Sequence, residues 1–277
     1  MAASENTRDE LAAIPEAIAS GEYLRVALIL RSAYDDLGEV DLRLALTALD
    51  SSALTGASEE GLMSVATADT ETHSIFNLGV ALWDADWRES EAVDVMKFAH
   101  EIGAEGAGLA LAEYLSWLRE DAEAELLLLS LLRSRAGSTR AEGLLGRLYF
   151  ENQGRTDERV KELLEADVSN SSSAHAYSKL LVLRKEVAAA AEFLMSKSSE
   201  GEKWAPILLG NLRKEWLEDR LGAETAYLRG IELGDYYSAT NLGLMLIDQG
   251  DALRGREWLE YAEKRGDIRA ASALEAE

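Results

Sequence analysis

Ser238 to Gly266 reads SATNLGLMLIDQGDALRGREWLEYAEKRG, and this stretch decides how the rest of the chain is understood. It predicts two short helices joined by the tight turn Gln249-Gly250-Asp251. The first carries Ser238, Leu242, Gly243 and Leu246; the second carries Trp258, Tyr261 and Ala262 and stops at Gly266. Sliding this unit back along the chain finds it again. Small residues stand at Gly243, Gly210, Ser178, Gly146, Ala112 and Gly79, 32 to 34 residues apart. Five residues before each stands a second small residue: Ser238, Ala205, Ser173, Ala141, Ala107 and Ser74. The neighbours Leu242, Leu209, Tyr177, Leu145, Leu111 and Leu78 keep the same step, and Gly266, Gly234, Gly201, Asn170, Gly137 and Gly103 close the units.

The spacing has a physical cause. Helices joined by a short loop pack antiparallel. A small residue lets the axes approach, and flanking leucines fill the groove beside it. One hairpin cannot bury both of its apolar faces, so successive hairpins stack and share a core. A closing glycine takes the left-handed conformation without steric cost. Asp235 and Asp267, each directly after such a glycine, are placed to cap the next helix.

Three runs, AEGLLG (141–146), APILLG (205–210) and SATNLG (238–243), together with Trp258-x-x-Tyr261-Ala262-x-x-x-Gly266, resemble the Sel-like and tetratricopeptide helical repeats. The resemblance covers roughly Ser74 to Gly266 and departs from the Sel-like pattern in lacking its longer Gly-rich mid-unit loop. It implies an all-α, right-handed α-solenoid. About eight antiparallel hairpins are expected in a single array, at 7–38, 39–70, 73–103, 106–137, 140–170, 172–201, 204–234 and 237–266, with a capping helix over 268–277. In the first hairpin, Gly38 is read as closing GEYLRVALILRSAYDDLG, and Pro15 requires the preceding helix to start at about Ile14 or to kink. Thr70 is read as closing the second. Asp121 to Ala136, DAEAELLLLSLLRSRA, is expected to be well buried.

Composition bounds the function. The 277 residues are 47% hydrophobic, with two prolines and no cysteine. That excludes disulfides and thiolate chemistry and fits a reducing, cytoplasmic setting. The start of the chain lacks a basic region followed by an apolar run, so no secretory signal is read there. The longest apolar run, near Leu126 to Leu132, is too short to span a bilayer. A net charge of −23 opposes unaided binding to nucleic acid or to an anionic membrane. His73, His100 and His175 are far apart and show no metal-ligand spacing, so no metal or cofactor is expected. No phosphate-binding loop or nucleophile motif is present. Acidic residues such as Glu89, Glu91, Asp94, Glu120, Asp121 and Glu123 read as solvated helix faces.

The resemblance further implies that first helices line a concave groove that binds extended peptides. Carried over by register, Val80, Glu113, Arg147, Lys179, Asn211 and Leu244 face that groove. Trp83, Ser116, Phe150, Val182, Lys214 and Ile247 follow one turn on, and His73, Arg140, Trp204 and Tyr237 precede them. The candidate site is therefore Trp83, Arg140, Arg147, Phe150, His175, Lys179, Trp204, Asn211 and Lys214. Its cations cluster in the central copies without being enriched overall. The expectation is a non-enzymatic module for a protein or peptide with acidic or C-terminal carboxylate character. The alternatives are an acidic scaffold recruiting a basic protein by its outer face, and an enzyme with a site of scattered carboxylates.

Overall fold

A computed structural model describes residues 5–48, 59–84, 89–134 and 138–275. Among the described residues all regular structure is helical. The first helices are α1 (Glu5–Ala12), α2 (Ile14–Ala19), α3 (Tyr23–Ala48) and α4 (Glu59–Ala66). Then come α5 (Glu71–Trp83), α6 (Glu89–Glu101), α7 (Ala107–Trp117), α8 (Asp121–Arg133) and α9 (Thr139–Arg147). A π-helical turn, Leu148–Asn152, follows, and after it α10 (Glu158–Glu165), α11 (Ser171–Leu183) and α12 (Val187–Ser199). The chain continues with α13 (Ala205–Glu215), α14 (Arg220–Glu232), α15 (Tyr236–Asp248), α16 (Ala252–Glu263) and α17 (Ile268–Glu275). Packing divides these helices into two compact units, residues 1–148 and 149–277, with the division inside the π-helical turn.

In each unit helices pack against their successors along the chain, the arrangement of an α-solenoid. The repeated positions are its core. Ser74, Ala107, Ala141, Ser173, Ala205 and Ser238 are all fully buried, and the leucines and tyrosine of the third series are buried with them. Where the small residue is glycine, the neighbouring helix uses the vacated space. A Cβ on Gly79 would meet Met96 at 2.8 Å, and one on Gly243 would meet the Gly255 carbonyl at 2.8 Å. Gly103, Gly201, Gly234 and Gly266 hold positive φ at the ends of their hairpins. Asp235 caps α15 by accepting from the Tyr237 N–H, and Asp267 accepts from the Arg269 N–H at the start of α17. That last helix lays Ala270, Ala273 and Leu274 over Leu259 and Ala262.

Several expectations are corrected. Gly38 does not end a helix, because α3 runs unbroken to Ala48. Most of the residues after it, EVDLRLALTA, are good helix formers, and one interior glycine costs only about 1 kcal/mol. Thr70 does not close a helix; its side chain caps the next one by accepting from the His73 N–H. Asn170 likewise caps α11, accepting from the N–H groups of Ser172 and Ser173. The α8 run is amphipathic rather than engulfed. Ala124 and Leu128 are buried while Leu126 points outward, since a single face of a helix meets its neighbours. The closing residue Gly137 lies outside the described residues. At Pro15 the chain behaves as read: a turn at Ala13 ends α1 and α2 begins at Ile14.

Candidate functional site

In the first unit, Arg140 and Arg147 converge on one carboxylate. Arg140 Nη2 donates to Glu113 Oε2 at 3.3 Å and Arg147 Nη1 donates to Glu113 Oε1 at 3.1 Å. Glu113 and Arg147 hold the same position in consecutive repeats, so stacking α7 beside α9 brings them together. The two arginines thus serve an internal bridge and do not stand open as a clamp. Trp83, at the end of α5, lies flat on Tyr114 of α7, with ring centroids 3.9 Å apart and planes 2° from parallel. Burial, then Asp84 and Glu113, push the Tyr114 hydroxyl pKa far up, so it stays protonated.

The second unit holds a continuous groove of about 340 Å³ between the π-helical turn, α11 and α13. Phe150, Val182, Leu183 and Trp216 form its apolar walls, and Ser178, Lys179, Asn211 and Glu215 its polar points. Lys179 is exposed and makes no ion pair among the described residues. Lys214 lies one turn along α13 from Asn211 and also has no ion pair among the described residues. Asn211 is held in place: its Oδ1 accepts from the Tyr227 hydroxyl at 2.7 Å and from Asn241 Nδ2 at 3.0 Å. Its amide N–H groups donate no hydrogen bond among the described residues. The Asn241 Oδ1 in turn accepts from Arg269 Nη2, so a polar ladder crosses α13, α15 and α17. Asn241 and Arg269 belong to this ladder although the sequence reading did not single them out. Their steps of 30 and 28 residues, close to the repeat length, are the signal that could have found them.

At the other end of α13, His175 stacks on Trp204 with centroids 5.7 Å apart, and the Trp204 indole N–H donates to Glu202. The His175 Nε2 is buried and has no hydrogen-bond partner among the described residues. Burial, and then the Lys179 ammonium, hold its pKa below the ordinary 6.5, so the ring is neutral at pH 7. Of the nine predicted residues, Phe150, Lys179 and Asn211 line the groove, and Lys214 does not. His175 and Trp204 pair one helix-length away, and Trp83, Arg140 and Arg147 belong to the first unit. Among the described residues no three His, Asp or Glu side chains gather as metal ligands would. No described helix is long and apolar enough to cross a membrane.

These features define the class: an α-solenoid with the Sel-like repeat fold. The structure is similar to that of a protective antigen present in uropathogenic Escherichia coli strains that displays this fold, with a TM-score of 0.52 and 17% identity. The match covers 95% of this chain and 62% of that one, so the chain spans less than two thirds of the other protein's length. No protein-family model and no curated protein matches the sequence.

Proposed function

We propose that the protein is a non-enzymatic interaction module whose second unit binds an extended segment of a partner protein. One observation carries this reading: in a chain of net charge −23, an open apolar groove presents Lys179, which pairs with no carboxylate of the described residues, beside Asn211, with Lys214 one turn along α13 from Asn211. Apolar walls would take a partner's side chains. The Asn211 amide N–H groups would donate to its backbone, and the lysines would favour acidic residues or a terminal carboxylate. Helix α13 is about 16 Å long, the span of about five extended residues.

The test uses short fluorescein-labelled peptides with apolar residues alternating with Glu, with free or amidated C-termini, read by fluorescence anisotropy. Lys179→Ala with Lys214→Ala is expected to weaken the best binder by about 1–2 kcal/mol, the range for charge-assisted contacts at a partly solvated site. Glu91→Ala with Asp94→Ala, in the first unit, is the matched control and should change little. Normal binding by the lysine double variant removes the groove reading.

A further inference from the structure

The negative charge is unevenly spread. Residues 1–148 carry 27 Asp and Glu against 11 Lys and Arg, whereas residues 149–277 carry 24 against 17. The acidic first unit also holds the largest exposed aromatic of the described residues. Trp117, at the end of α7, is 72% exposed, although indoles are ordinarily well covered. Tyr114 lies three residues earlier, one turn away on the same face of α7, and it is the ring on which Trp83 is stacked. At the hairpin-turn ends of α5 and α7 the exposed Trp117 ring thus forms an aromatic ledge next to the half-buried Trp83, which covers the buried Tyr114. Asp84, directly after Trp83, is exposed and makes no ion pair among the described residues, and Glu120, three residues beyond Trp117, is in the same condition. Among the described residues, Arg140 and Arg147 are occupied by Glu113, and Arg119 by Asp121 at 3.6 Å.

We propose that this ledge is a docking surface for a basic segment of another protein, which lays an Arg or Lys side chain on the exposed ring of Trp117, with Asp84 supplying a carboxylate from the end of α5. Three arguments support that occupant. Aromatic faces attract cations, and indole does so best. The unit's net charge concentrates basic segments near its surface and repels acidic ones. Asp84 and Glu120 make no ion pair among the described residues, so their carboxylates are available to an incoming guanidinium or ammonium. The proposal does not rest on the groove of the second unit, which is read as taking acidic segments.

The experiment uses the full chain and a fluorescein-labelled peptide of Arg-Gly-Ser repeats, with a Glu-Gly-Ser peptide of equal length as counterpart, by anisotropy at two salt concentrations. Trp117→Ala should raise the Kd for the Arg peptide five- to tenfold. Trp117→Phe should recover part of the loss, because phenyl is a weaker cation acceptor. Asp84→Asn should raise it two- to threefold and flatten its salt dependence. Tyr237→Ala, which removes an exposed aromatic ring from the less acidic second unit, should leave the Kd unchanged. Thermal melting of each variant checks folding, and Asp84→Asn, a surface change, keeps the test open should Trp117→Ala melt early. Unchanged binding by Trp117→Ala, equal losses in Trp117→Ala and Tyr237→Ala, or equal binding of the Glu peptide would each overturn the proposal. The last two would mean diffuse attraction, or none, at this ledge.

Discussion

The hairpins α13/α14 and α15/α16 carry the same glycine at the same step, yet use it differently. At Gly210 the vacated space holds a side chain: a Cβ there would lie 2.3 to 2.8 Å from the Tyr227 ring, which is 1% exposed and anchored by its hydroxyl on Asn211. At Gly243 the space holds backbone. A Cβ would meet the Gly255 carbonyl at 2.8 Å, and one on Gly255 would meet the Gly243 carbonyl at 2.7 Å. One sequence mark thus serves two kinds of packing. In the first, the partner helix sends in a large ring; in the second, two glycines let the helix axes themselves come close. The first leaves a side chain that can be redesigned. The second leaves nothing that can move without the helix moving.

The largest effect expected is therefore at Gly243. Gly243→Ala should cost about 3 kcal/mol, the upper part of the usual overpacking range, because backbone must shift. Gly210→Ala should cost about 2 kcal/mol in the native background and under about 1 kcal/mol once Tyr227→Leu has removed the ring. That coupling is the expected signature of two groups in contact. Urea unfolding of the four variants measures it. Equal costs at the two glycines, or no rescue by Tyr227→Leu, would erase the distinction between the hairpins.

What the sequence disclosed follows from the same physics. The buried small residues and their leucines were readable because each repeats at one step and each has a steric reason. The N-terminal third was not, because Gly38 there interrupts nothing and Thr70 opens a helix where a closing residue was sought. The site divided in a similar way. Phe150, Lys179 and Asn211 meet because register alone places them on neighbouring first helices. Arg140 and Arg147 were misjudged because only the basic residues were followed. Glu113 held the same register position one repeat earlier, and an opposite charge at one repeat's distance is a bridge rather than an opening. The three mid-hairpin turns with non-glycine residues at positive φ, Arg119, Lys185 and Glu218, carried no glycine to announce them.

A smaller effect concerns the hairpin α11/α12, where Ser178 replaces glycine and a titrating ring lies nearby. The folded state holds His175 below its ordinary pKa of 6.5, by burial first and by Lys179 second. A group whose folded pKa is depressed resists protonation only when folded. Its stabilising contribution is therefore complete above pH 6.5 and declines as pH falls below it, towards the folded pKa. Lys179→Met should raise the His175 pKa and lessen that decline. NMR titration of the ring and urea unfolding at pH 7.5 and 5.5 would show both. An unmoved His175 pKa in Lys179→Met would mean that burial alone sets it.

The smallest effect expected is in the turn of that hairpin. Lys185 holds φ of +63°, and Gly250 holds +86° at the matching turn of α15/α16. In the left-handed region a residue with a Cβ is strained by roughly 1–2 kcal/mol relative to glycine. Glycine, however, loses more backbone freedom on folding, about 0.5–1 kcal/mol. Lys185→Gly should therefore stabilise by about 0.5 kcal/mol, since the Lys185 N–H keeps its bond to the Val182 carbonyl at 2.9 Å. The reverse change, Gly250→Lys, should destabilise by a similar amount. The pair tests whether the two turns are one structure built with different residues. Should Lys185→Gly lower the melting temperature while Gly250→Lys also lowers it, the turns are not equivalent. The lysine would then be contributing contacts of its own that outweigh the strain of its backbone.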